Sequence, residues 1–141
     1  MSGPEFSRRV DIARLGAADA RYDVAATETE RAALARRLDL VSLNRFEAHV
    51  TLRRVAGGMV RLSASLSADL EQTDIVTLEP LPAHVEDNFT LLFAAAADDA
   101  AALDPDAELV EPLGDGHIDI GEAVAQQLSL AIDPYPRAPA A

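Results

Sequence analysis

From residue 45 to residue 69, apolar and polar residues alternate with period two on either side of Gly57-Gly58. Phe46, Ala48, Val50 and Leu52 alternate with Arg45, Glu47, His49, Thr51 and Arg53; then Val60, Leu62, Ala64, Leu66 and Ala68 alternate with Arg61, Ser63, Ser65, Ser67 and Asp69. Successive side chains of a strand point to opposite faces, so the pattern predicts a β-hairpin with one buried and one wet face. The two glycines supply the positive φ angles of a tight turn. Residues 74–79 (DIVTLE) and 85–93 (VEDNFTLLF) predict a second hairpin around Pro80-Leu81-Pro82, because proline is excluded from central strands. Four antiparallel strands result. Residues 8–15 (RRVDIARL), with Val10 and Ile12 on one face, and 21–26 (RYDVAA) predict two further strands.

The period changes at Thr27. Thr27 with Glu30 three residues on has the spacing of a capping box, which predicts a helix over 28–40 with Ala33, Leu34, Leu38 and Val41 as its apolar stripe. Asp119 with Glu122 repeats that spacing and predicts a helix over 120–132 whose stripe is Val124, Gln127, Leu128 and Ala131. Residues 94–111, rich in Ala and Asp and without periodicity, predict a mobile acidic loop, and 112–116 (PLGDG) a turn. Pro134, Pro136 and Pro139 predict a disordered tail over 134–141. The expected fold is α+β: one domain over 1–133, an antiparallel sheet or partly open barrel of four or more strands, flanked by two helices.

Composition narrows the chemistry. The chain has 141 residues, enough to bury roughly two thirds of its unfolded surface on folding. Cysteine is absent, which removes disulfides and the commonest zinc sites. The first residues carry neither a basic nor an apolar leader segment, and no run approaches the roughly 20 apolar residues of a membrane span, so a cytoplasmic location is expected.

The net charge is −12, but it is unevenly placed: residues 1–61 hold 11 Arg against 8 acids, and residues 62–141 hold 1 Arg against 16. Nucleic-acid binding draws on cations that neutralise phosphates, so the whole surface cannot serve as an RNA footprint. Direct RNA contact would fall to Arg8, Arg9, Arg36, Arg37, Arg53 and Arg54.

Enzyme chemistry finds no anchor. His49, His84 and His117 fall on strands or turns without metal-ligand spacing, and Asp104-Pro105-Asp106-Ala107-Glu108 lacks the glycine and late glutamate of a calcium loop. Gly114-Asp115-Gly116 precedes a helix, but Asp115, Asp119 and Glu122 would repel a phosphate there. No Walker sequence, dinucleotide fingerprint, nucleophile elbow or triad order occurs. The expectation is a protein without catalytic, cofactor or metal residues.

Two segments carry a resemblance. QTDIVTLEP at 72–80 and EPLGDGHIDIGEAVAQQL at 111–128 are similar to the YceD family, the large ribosomal RNA subunit accumulation proteins. Phe6-Ser7-Arg8-Arg9 and Asp133-Pro134-Tyr135-Pro136-Arg137 agree with its alphaproteobacterial-type members. The resemblance implies a non-catalytic role in synthesis, processing or stability of 23S ribosomal RNA. It also implies metal binding for those members with a CxxC before the LEP, but here Asp74 and Thr77 stand at those positions. An Asp and a Thr cannot replace two thiolates, so the metal does not carry over, and the 74–80 turn is expected to be held by packing alone. The partner is expected to be ribosomal RNA or an assembly protein. A protein-binding adaptor, its acidic half holding a basic ribosomal protein or RNA-processing enzyme, is the alternative.

Overall fold

The computed structural model describes residues 6–16, 18–55, 58–94, 110–112 and 116–132, the last strand before 113 by its backbone only. Its centre is the predicted hairpin, longer than the alternation at 45–69 indicated: β3 (Ser42–Arg54) and β4 (Val60–Thr73) pair antiparallel from Arg54 opposite Val60 to Ser42 opposite Glu71, with a register shift between Leu43 and Arg45. Val55 N donates to Met59 O at 3.0 Å to close the turn, and Gly58 takes a φ of 74°; Gly57 lies outside the described residues. β2 (Ala20–Ala25) pairs with β3 on one side, and β5 (Pro80–Ala94) with β4 on the other. These four antiparallel strands, with β6 (Val110–Pro112) parallel to the end of β5, form an open sheet of order β2-β3-β4-β5-β6. The fold is α+β.

The alternation decides which face is buried. Phe46, Ala48, Val50 and Leu52 of β3 and Val60, Leu62, Ala64, Leu66, Ala68 and Leu70 of β4 are all buried on one face. Helices α1 (Glu28–Arg37) and α2 (Ile120–Ala131) bring Leu34, Val124 and Leu128 onto that core, each with no exposed surface. Each large aliphatic side chain buried this way contributes about 1.5–3 kcal/mol.

Several expected boundaries shift. Residues 74–79 are a turn and not a strand, and Pro80 and Pro82 open β5 instead of forming the turn. The cause is Asp74, whose carboxylate takes the Val76 and Thr77 N–H groups and bends the chain before a ladder can continue. Glu79 O accepts from Asp74 N at 2.8 Å, so Pro80 and Pro82, two apart and out of phase with it, turn their missing donors toward the open edge of β5.

The strand expected at 8–15 shrinks to β1 (Arg9–Asp11), followed by a 3-10 turn at Ile12–Arg14 because Asp11 caps Ala13 N at 2.9 Å. α1 stops at Arg37, with Asp39 in the left-handed region at φ 56°, so Val41 is 48% exposed and Ala35 joins the core in its place. In the expected loop 94–111, Ala94 belongs to β5 and Val110 and Glu111 to β6; 95–109 lie outside the described residues, as do 113–115 of the expected turn and the tail at 134–141.

Candidate functional site

The two segments that frame the chain meet in space. β7 (His117–Asp119) pairs antiparallel with β1, setting Val10 opposite Ile118 and Arg9 opposite Asp119. Asp119 caps α2 by accepting from Glu122 N at 3.0 Å, and also accepts from Arg8 N at 2.8 Å and the Ser7 hydroxyl at 2.5 Å. Gly121 completes the contact: a Cβ there would meet Arg8 N at 2.8 Å and Phe6 O at 2.9 Å, so only glycine lets the helix approach the segment this closely. Phe6 is fully buried with its ring centroid 5.4 Å from that of Phe46. The Ile118-Asp119-Ile120-Gly121-Glu122 run is therefore a clasp for residues 6–9.

Around the clasp, Arg8 lies 4.7 Å over the Phe6 ring and forks onto Glu30 at 2.7 and 2.8 Å. That hydrogen-bonded cation, reinforced by the Thr27 N–H and opposed by partial burial, holds the Glu30 carboxyl at about 2. Arg37 pairs with Glu122 at 2.9 Å, tying α1 to the first turn of α2.

The open face of the sheet is polar. Cross-strand rows run Arg45, Asp69, His84; Glu47, Ser67, Glu86; His49, Ser65, Asn88; and Thr51, Ser63, Thr90. Small serines between longer neighbours leave a shallow depression of about 600 Å³, lined by Glu47, His49, Ser65, Ser67, Glu86 and Asn88. Asp23 extends the third row: its Oδ1 meets His49 Nδ1 at 2.5 Å and raises the imidazole pKa. The row places Asp, His and Ser side by side, a juxtaposition absent from the linear order. Among the described residues no hydrogen bond joins His49 to Ser65, and both His49 and Asp23 are mostly exposed. His84 is raised by Asp69 at 2.6 Å and then by Glu86, while Asp69 is lowered by His84 and Arg45. His117 is exposed on β7. No group of three or more potential metal ligands occurs among the described residues.

The six candidate RNA-contact arginines do not form one patch. Arg8 and Arg37 are engaged at the clasp, Arg9 is exposed on β1 and Arg36 is exposed on the last turn of α1. Arg53 and Arg54 lie at the far end of β3: Arg53 forks onto Asp19 at 2.7 and 2.9 Å, and Arg54 donates to the carbonyls of Leu15 and Ile12. There the structure gathers arginines that sequence reasoning missed. Arg61 is the register partner of Arg53, Arg21 pairs with Thr51 one step along the same face, and Arg14 sits in the 3-10 turn that Arg54 binds. The available signal was the hairpin register, which sets residues 53 and 61 opposite each other once the turn is centred on Gly57-Gly58.

At the other end of β4 lies the 74–79 turn. Asp74 is only 3% exposed; its carboxylate accepts from Val76 N at 2.7 Å and Thr77 N at 3.1 Å. Leu78 N donates to Asp74 O at 2.8 Å, and Thr77 Oγ1 accepts from Glu79 N at 3.3 Å. Hydrogen bonds from the two residues at the CxxC positions hold this turn, which corrects the expectation of packing alone. Ile75, Val76 and Leu78 do not pack inward: they are 51%, 72% and 75% exposed.

Four antiparallel strands with helices on one face and an open polar face on the other make up this α+β fold. A family model described as "Large ribosomal RNA subunit accumulation protein YceD" matches residues 62–141, more than half of the chain, and the chain belongs to that family. No curated protein and no solved structure matches it. Among the described residues, no helix is long and apolar enough to cross a membrane.

Proposed function

We propose that this protein acts without catalysis to support the synthesis, processing or stability of 23S ribosomal RNA. The family match over 62–141 carries this reading, since its description concerns accumulation of the large-subunit RNA. Within it, the arginines at the far end of β3 are the phosphate-facing group: Arg21, Arg53 and Arg61 share the open face of the sheet there, with Arg54 on the opposite face, in an otherwise acidic molecule. Among the described residues the polar face offers no Phe, Tyr or Trp on which a base could stack, which favours contact with the backbone of folded RNA over reading of single-stranded bases. Deleting the gene should lower 23S relative to 16S RNA, and the intact gene should restore it; an unchanged ratio refutes the role. Binding of 23S fragments should weaken steeply with salt, and its absence at low salt refutes direct contact.

A second reading, an acidic adaptor for a basic protein, is favoured by the 16 acids against one Arg after residue 61.

A further inference from the structure

We propose that the 74–79 turn is a preformed docking knob whose apolar centre enters a pocket with a basic rim on a Lys/Arg-rich protein of the large subunit. The inference rests on the adaptor reading above and gives it a surface. Ile75, Val76 and Leu78 account for three of the five large apolar residues exposed among the described residues, and they sit within four positions of one another. A solvated turn gains nothing from that composition, because polar residues would serve there without exposing apolar surface.

The backbone adds a second, independent observation. Leu78 adopts a φ of 64°, a region that glycine enters freely and a branched side chain does not. Its side chain is 75% exposed, so no packing within the described residues compensates for the conformation. The turn is nonetheless held in one shape by the Asp74 and Thr77 hydrogen bonds, which removes most of the ordering loss that a flexible loop incurs on binding.

Charge selects the occupant. Glu79 lies within the turn and Glu71 three residues before it on β4, while Asp69 and Glu86, farther along the same face, are paired with Arg45 and His84. Unpaired carboxylates beside an apolar centre disfavour a second copy of the same surface, RNA and an anionic lipid surface, and favour a cationic protein surface. β4, 14 residues long, puts this knob roughly 45 Å from the arginine end. The two charged ends can therefore engage a basic protein and an RNA at once.

The test uses the full chain with a photo-crosslinking residue in place of Val76, mixed with RNA-free total protein from large ribosomal subunits. Crosslinking should reach a defined protein at an apolar site flanked by Lys or Arg, at yields at least tenfold above a probe placed at Glu28. Leu78→Gly should reduce that yield at least tenfold while leaving Tm equal or higher, because it removes side chain and strain together. Equal yields at 76 and 28, crosslinks only to a second copy, crosslinks only to added 23S RNA, or full yield from Leu78→Gly would each overturn the proposal. In cells the two readings separate: a deletion that lowers 23S but is fully rescued by Leu78→Gly sinks the knob and spares the role. A deletion without effect on 23S sinks the role, and the crosslinking result still decides the knob.

Discussion

Gly121 opens α2 so near Phe6 that a Cβ added to it would lie 2.9 Å from the Phe6 carbonyl oxygen. Gly→Ala within a helix normally gains about 1 kcal/mol. Here the three nearest atoms are all backbone, of Phe6, Ser7 and Arg8, and cannot rotate away. Overpacking of this kind costs about 1–3 kcal/mol, so the sign reverses. Urea denaturation of Gly121→Ala should give a lower midpoint with unchanged slope; a stabilised variant would show that the segment shifts freely.

Asp119 is the acceptor for three donors, two of them more than 110 residues away in sequence. Asp119→Ala removes a helix cap worth about 1 kcal/mol and leaves Arg8 N–H short of its partner, a further penalty of about 1–2 kcal/mol. Amide exchange at Arg8 and Glu122 should accelerate well before that of β3 and β4. Uniform acceleration would mean that the clasp and the sheet open together.

Acid should loosen the same region. Glu30 titrates at about 2 in the folded protein against an ordinary 4.5, mainly through Arg8. A depressed carboxylate stabilises the fold above its unfolded value, and that contribution is lost as pH falls from 4.5 through about 2. Glu30→Gln keeps an acceptor for Thr27 N but loses the charge, so it should cost about 1 kcal/mol at neutral pH and progressively less in acid. A pH-independent difference measured by chemical denaturation would remove the Arg8 pair as its cause.

On the open face, His49 and His84 should both titrate above 6.5 in NMR, held protonated by Asp23 and Asp69 respectively. Whatever they add to stability is complete below 6.5 and vanishes as pH rises through the raised values. Asp23→Asn should lower the His49 midpoint and leave His84 unmoved. A shift in both would indicate a field across the whole face in place of separate pairs.

The central hairpin, the capping box at Thr27 and the cap at Asp119 were legible from sequence because each is a local pattern whose physics is complete within a few residues. The 74–79 turn was not, because DIVTLE has strand composition and only the buried Asp74 carboxylate reveals that its N–H groups are taken locally. The prolines were read correctly as incompatible with a central strand, but an open edge satisfies that rule as well as a turn does. For the candidate site, the excess of arginine in residues 1–61 was visible. Its division into a clasp group and a strand-end group was not, since it depends on register and on contacts such as Arg37 with Glu122, 85 residues apart. The Asp23, His49, Ser65 row escaped for the same reason.

The clasp also sets an order of events during synthesis. Residues 6–11 emerge from the ribosome before the hairpins, yet their partners at 117–121 are among the last of the described residues to be made. The hairpins between them can pair while Phe6 and its neighbours still wait for a binding surface. A pause or truncation before Gly121 would therefore leave a nascent chain with its hairpins formed and Phe6 unprotected, and completion of the fold would report that translation had passed that codon.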